Sequence, residues 1–237
     1  MLEARSLTKR YGDALALDSL DLRVEAGEVF CLLGPNGAGK TTTVNLFLDF
    51  VSPTSGQALV CGIDSARDPL QARKLLAYIP ETVTLYPSLT GLENLDYFSR
   101  LADGQRRSTE EGLALLAQAG LDAARAQQRV AGYSKGMRQK VGIAIALARR
   151  ARALLLDEPT SGLDPRAANE FAAAIDTLRR QGVAVLMVTH DLFLAKQCAT
   201  RVGIMQRGRL ANVLMAGSVD HVGLERIYLD AALEATA

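Results

Sequence analysis

GPNGAGKT, residues 34–41, decides the fold. It matches the pattern G-x-x-x-x-G-K-[ST] at every fixed position. It also stands between a short apolar run, Val29–Leu33, and a helical pattern over 41–50, so strand, glycine loop and helix follow in order. That order makes a cradle for phosphate. Gly34, Gly37 and Gly39 let backbone N–H groups turn toward an anion, with Pro35, Asn36 and Ala38 completing the loop. Lys40 sets a point charge on the outer phosphates, Thr41 offers a hydroxyl to Mg²⁺, Thr42 follows, and the helix dipole adds to the field.

The second half of such a site is legible in LLLDEPTSGLD, residues 154–164. Residues 153–156 are apolar throughout, as a parallel strand buried on both faces requires. Asp157 then falls at the carboxyl end of that strand, where open parallel sheets bind ligands, and suits Mg²⁺ through water. Neighbouring strand residues point to opposite sides, so Glu158 is free for another task, polarising an attacking water. Pro159 biases Glu158 toward an extended backbone. VTHD, 188–191, closes the next strand, 183–188, and brings His190 to the same edge, placed to donate to a γ-phosphate.

Between these strands, residues 165–181 read as a helix: Asp164 caps it, Pro165 suits its first turn and Gly182 ends it. Strands alternating with helices predict a mostly parallel sheet covered on both faces. Residues 85–129 are rich in Leu, Ala and Glu without a strand signal and read as a helical insertion, whereas residues 1–28 alternate like short antiparallel strands. VSPTSG, 51–56, reads as a loop.

The chain has 237 residues, 49% hydrophobic and 22% charged, with a net charge of +1, so it can bury a real core, and nothing in its overall balance points to a nucleic-acid surface, a local basic patch aside. Three widely spaced cysteines, Cys31, Cys61 and Cys198, make neither a disulfide framework nor a zinc pattern. The start, MLEARSLTKRYG, lacks the apolar core of a signal peptide, and no apolar stretch approaches the roughly 20 residues needed to span a bilayer.

YSKGMRQK, 133–140, opens a second helix with a small hydroxyl residue and a glycine, which is again an anion site. The helix over 136–150 is roughly 22 Å long and runs antiparallel to a following strand of roughly 17 Å, so its start overhangs the ligand edge and faces away from its own cradle. Taken together and in this order, the cradle 34–41, the signature 133–137, the strand and acids 154–158, SGLD at 161–164 and His190 resemble the nucleotide-binding subunits of ABC transporters over nearly the whole chain.

The resemblance implies an α/β P-loop NTPase fold with a mostly parallel sheet, an N-terminal antiparallel β subdomain and an inserted α-helical subdomain. Residues 1–82 and 135–215 would form the catalytic core, 83–134 the helical subdomain and 216–237 a C-terminal tail. It implies ATP and Mg²⁺ as ligands, Tyr11 stacking on adenine, and catalysis by Glu158 and His190 with Lys40. It further implies a head-to-tail dimer in which Ser134 and Gly136 of one chain close on ATP held by the other, a separate transmembrane permease as partner, and a peripheral place for this chain on the cytoplasmic face of the membrane. Lys135 and Met137 depart from the commonest signature, and Glu81 stands where the family's coupling loop usually begins with glutamine. Glu81 either approaches Mg²⁺ or is a solvated loop acid.

LYPSLTGLENLDYF, 85–98, and GLERIYL, 223–229, resemble ATP-binding subunits of the ABC-2 type, which mostly serve exporters. The alternatives are an importer subunit, whose relatives often carry a longer C-terminal regulatory domain not seen in this sequence, a soluble ATPase of the same family acting on nucleic acid or ribosomes, and a P-loop kinase, which leaves YSKGM and His190 unexplained.

Overall fold

Strand β3 (Val29–Leu33) is five residues long and every one is buried, because it runs through the middle of a sheet with apolar layers on both sides. A computed structural model describes residues 1–234; the last three positions of the expected tail, 235–237, lie outside the described residues. Before β3, β1 (Leu2–Tyr11) and β2 (Ala14–Val24) pair antiparallel. After it come α1 (Lys40–Phe47), β4 (Ser55–Val60), β5 (Ile63–Asp64), α2 (Pro69–Leu75) and β6 (Leu76–Ile79). The stretch from residue 80 to residue 152 holds α3 (Gly91–Asp103), α4 (Thr109–Gln118), α5 (Ala123–Ala126) and α6 (Lys135–Ala148), with no named strand among them. The chain continues through β7 (Ala153–Asp157), α7 (Pro165–Arg180), β8 (Ala184–Val188), α8 (Leu192–Cys198), β9 (Arg201–Gln206), β10 (Arg209–Met215) and α9 (His221–Glu234). GLERIYL therefore lies within α9.

Two sheets result. One has the order β2-β1-β4-β5 and is antiparallel; the other has the order β10-β9-β3-β8-β7-β6 and is parallel except for β10. Alternation along β3 divides the core in two. Val29, Cys31 and Leu33 face the layer of α3, α4, α6 and α7, with Leu154, Leu156, Val185, Ile143 and Ile175. Phe30 and Leu32 face the opposite way and meet Val44 and Phe47 of α1 and Leu7, Leu17 and Leu20 of the antiparallel sheet. Helix α1 is thus clamped between the two sheets.

The N-terminal strands are not short. They are 10 and 11 residues long, and register shifts interrupt their pairing. Ser6 and Ser19 sit at φ 43° and 50°, bulges that break the period-two pattern and split one strand into apparent pieces. Strand β4 begins at Ser55, inside the expected loop, because Gly56 (φ 78°) packs on the backbone of Arg5 and Ser6 at the same bulge. Helix α1 stops at Phe47 rather than at residue 50. Helix α7 follows its signals: Asp164 accepts from Ala167 N at 2.9 Å, and Pro165 opens the first turn.

The helical insertion leaves and re-enters the core along adjacent chain segments. Val130 N donates to Leu89 O at 2.9 Å and Ala131 N to Pro87 O at 3.0 Å. Tyr133 is buried at this neck; its hydroxyl donates to Arg125 O at 2.6 Å and rests against Gly91. Tyr133→Phe removes that bond and leaves Arg125 O with the Gln128 N–H at 2.9 Å. It is expected to lower stability by about 1 kcal/mol, read as a melting temperature lower by about 2–4 °C. All three cysteines are free, and burial pushes the Cys198 thiol up to about 12. Among the described residues, no helix is long and apolar enough to cross a membrane.

Candidate functional site: a phosphate cradle at the carboxyl edge of the parallel sheet

The loop after β3 is held from outside as much as from within. A side chain at Gly34 would press on Met205 O at 2.5 Å, and one at Gly39 on Ala16 O at 2.5 Å. These two glycines let β2 and β9 approach the loop, a packing reason the motif itself does not express. Gly37 is different: a side chain there would meet open space, and its φ of 81° is the reason for glycine. Asn36 and Gly37 form the exposed tip, while Ala38, Gly39 and Lys40 are buried. Gly39 caps α1 at φ 105° with no side chain over the helix start, so the first N–H groups of α1 remain open to an anion.

Lys40 points into this loop. Its ammonium donates to Gly34 O at 2.6 Å and Pro35 O at 3.0 Å. Burial pulls its pKa down, and the nearby Glu158 and Asp157 carboxylates act the other way. Asp157, the last residue of β7, has its carboxyl pushed up by burial and then by Glu158 and Glu81, with Lys40 opposing. Carboxylates therefore crowd this edge, an arrangement a divalent cation relieves. No three His, Cys, Asp or Glu side chains gather as a ligand set among the described residues. Asp157 and the exposed Thr41 fit Mg²⁺ only where phosphate oxygens and water complete the shell, which is the usual habit of that ion.

Glu158 departs from the expected extended backbone: its φ is 45°, despite Pro159. Tertiary hydrogen bonds override the local preference. Glu158 N donates to Val188 O at 2.8 Å, and its carboxylate is held at both oxygens, by Thr189 Oγ1 at 3.0 Å and by His190 Nδ1 at 2.9 Å. A non-glycine residue at such a φ costs about 1–3 kcal/mol, and such strain gathers at sites. Sequence reasoning singled out Glu158 and His190, and the structure brings them into contact. It missed Thr189, whose signal was a hydroxyl residue directly before the histidine at a strand end.

Tyr11 ends β1, half exposed, with Lys9 Nζ 4.9 Å from the centre of its ring. It pairs with Ala14, two residues before the Ala16 carbonyl that touches the loop at Gly39. Ser134 and Gly136 belong to another group. Ser134 Oγ caps α6 by accepting from Met137 N at 3.3 Å, and Gly136 is buried on Ala167 and Leu163 of the 159–167 segment.

Glu81 joins these regions. Its carboxylate lies 3.6 Å from Lys135 Nζ, and its backbone oxygen accepts from Gln139 Nε2 at 3.1 Å. The Ser161 hydroxyl and then Lys135 hold its pKa below the usual carboxylate range. Lysine in the first turn of a helix opposes the dipole, and Glu81 offsets that charge. Two of the three departures from the family pattern, Glu81 and Lys135, thus face each other.

The glycine loop, its lysine and the acids at the next strand end define a P-loop nucleotide-binding site. Comparison with known proteins narrows the class. The family described as ABC transporter matches residues 17–161. The daunorubicin resistance ATP-binding protein DrrA2 of Streptomyces coeruleorubidus is 38% identical over 228 residues, covering 95% of this chain and 70% of that protein. The probable multidrug ABC transporter ATP-binding protein YbhF of Escherichia coli is 38% identical over 89% of this chain, which spans only 36% of YbhF. A solved ATP-binding subunit of an ABC transporter superposes with a TM-score of 0.82 at 31% identity, each chain covered in full. The dimeric cassette MJ0796 bound to ADP and Pi gives 0.78 at 26% identity, over 91% of this chain and 99% of that one. The chain belongs to the ABC transporter family, with the fold of its ATP-binding cassettes.

Proposed function

We propose that the chain is an ATPase that powers an ABC-2-type exporter, working as an ATP-sandwiched dimer bound to a separate transmembrane permease. The observation that carries this reading is the meeting of three segments at one sheet edge: the Lys40 loop, Asp157–Glu158 and Thr189–His190. In this reading ATP lies on the open start of α1, with Lys40 on its outer phosphates and Tyr11 beside its base. Thr41 and Asp157 hold Mg²⁺, which when bound neutralises charge on the phosphate oxygens. Glu158 takes the proton of the attacking water, and His190 orients the γ-phosphate.

Ser134 and Gly136 of a second copy close the site; the dimeric form of the similar cassette MJ0796 supports this. Glu81, drawn to Lys135 and Ser161, acts as a loop acid linking the coupling segment to the signature helix rather than as a metal ligand. The export direction rests on the relatives, whose names include daunorubicin resistance and Nod factor export.

A cleft of about 480 Å³ beside Glu81, between Val83, Phe98, Leu101, Ile145 and Arg149, is the seat offered to the permease. Residues 83–134 would form the subdomain that shapes it, and the chain would lie on the cytoplasmic face of the membrane without a span of its own. A tagged chain purified from detergent-solubilised native membranes is expected to bring down a multi-span protein in stoichiometric amount. Recovery of ribosomes, nucleic acid or a soluble partner in its place overturns the transport reading and leaves the ATPase standing.

A further inference from the structure

Of the two side chains bonded to the carboxylate of the proposed base, Thr189 is the buried one. It is 1% exposed, directly after β8, whereas His190 beside it has 65% of its side chain in solvent. A threonine hydroxyl has one hydrogen to give. Here that hydrogen goes to Glu158 Oε2 at 3.0 Å, while the hydroxyl oxygen accepts from Asp191 N at 3.0 Å. Thr189 N in turn donates to Leu32 O at 3.3 Å, which ties the residue to β3. Asp157 and Val188 are the last partners of β7 and β8. The Glu158–Thr189 bond therefore adds one side-chain rung beyond the end of the ladder, where the backbone of Glu158 has already turned to φ 45°.

We infer that Thr189 is a positioning residue for hydrolysis: its hydroxyl fixes the Glu158 carboxylate at the sheet edge while His190 exchanges partners. The inference rests on Glu158 being the group that takes the proton from water. The two carboxylate oxygens are held unequally. The bond to Oε1 comes from an exposed ring and can open to meet phosphate. The bond to Oε2 comes from a buried hydroxyl whose own orientation is set by Asp191 N. Release of His190 then leaves Glu158 in place, at a backbone angle it would not keep unaided. The Thr189 hydroxyl bonds Glu158 and Asp191, whereas the Lys40 ammonium bonds Gly34 O and Pro35 O, so the contribution of Thr189 falls on turnover rather than on nucleotide affinity.

The test is an ATP titration of phosphate release by the full-length chain, comparing wild type with Thr189→Val, Thr189→Ser and Glu158→Gln. Thr189→Val keeps the shape and removes the donor; it is expected to lower kcat roughly 10- to 100-fold with KM for ATP changed by no more than about twofold. Thr189→Ser restores the hydroxyl and is expected to keep kcat within about threefold of wild type. Wild-type turnover in Thr189→Val, or an equal loss in Thr189→Ser, overturns the inference. So does a loss shared between kcat and KM and accompanied by a lower melting temperature, because that marks a packing role. If Glu158→Gln is inactive while Thr189→Val is normal, this inference alone fails. If Glu158→Gln turns over like wild type, the reading of Glu158 as base fails with it.

Discussion

Glu158→Gln is expected to cut phosphate release at saturating ATP by about 100-fold or more, the scale of a lost general base. Glutamine has the same shape and keeps an oxygen for the Thr189 hydroxyl at Oε2, so the loop around it should hold. It cannot take a proton from water. Binding depends on other groups, the Lys40 ammonium and the open start of α1, and should survive. Nucleotide then accumulates unhydrolysed, and with ATP and Mg²⁺ the variant is expected to run as a dimer in light scattering. Unchanged phosphate release removes Glu158 from catalysis. A protein that binds ATP yet stays monomeric at high concentration removes the composite site from the isolated chain.

Gly39→Ala is expected to abolish nucleotide binding and to destabilise the fold as well. The residue caps α1 at φ 105°, and a methyl group there would lie 2.5 Å from Ala16 O, 2.8 Å from Leu17 Cδ2 and 2.9 Å from Met205 Cε. The side-chain tips can shift, but the carbonyl belongs to β2 and cannot without moving the antiparallel sheet. Left-handed strain and overpacking together cost about 2–6 kcal/mol. Thermal melting reads the loss of stability, and titration with a fluorescent ATP analogue reads the loss of binding. A variant that binds with wild-type affinity shows that the loop yields more than its packing implies.

These two residues mark where sequence reading succeeds and where it stops. The cradle was legible because its glycine and lysine spacing is a local property, fixed by the turn between one strand and one helix. Asp157, Glu158 and His190 were legible because buried strands announce their carboxyl ends by the polar residues that follow an apolar run, although Thr189, the first polar residue after β8, was passed over for the histidine beside it. The packing reason for Gly34 and Gly39 was not legible, since it lies in Met205 and Ala16, far along the chain. Nor was the backbone of Glu158. Proline after it argued for an extended residue, and only the bonds to Val188, Thr189 and His190 reverse that preference. The N-terminal strands misled for a similar reason: bulges at Ser6 and Ser19 reset the alternation that marks a long strand. The meeting of Glu81 with Lys135 was out of reach too, because it joins positions 54 apart in the sequence.

Helix α1 has a consequence beyond packing. Val44, Leu46 and Phe47 fix it between two sheets, and the loop it carries is anchored at its other end on a wholly buried strand. The freedom such a loop would have in solution is surrendered when the chain folds, so an arriving nucleotide orders very little. Affinity for phosphate is then governed mainly by enthalpy and by counter-charge, and free energy from binding remains available to bring one cassette against another.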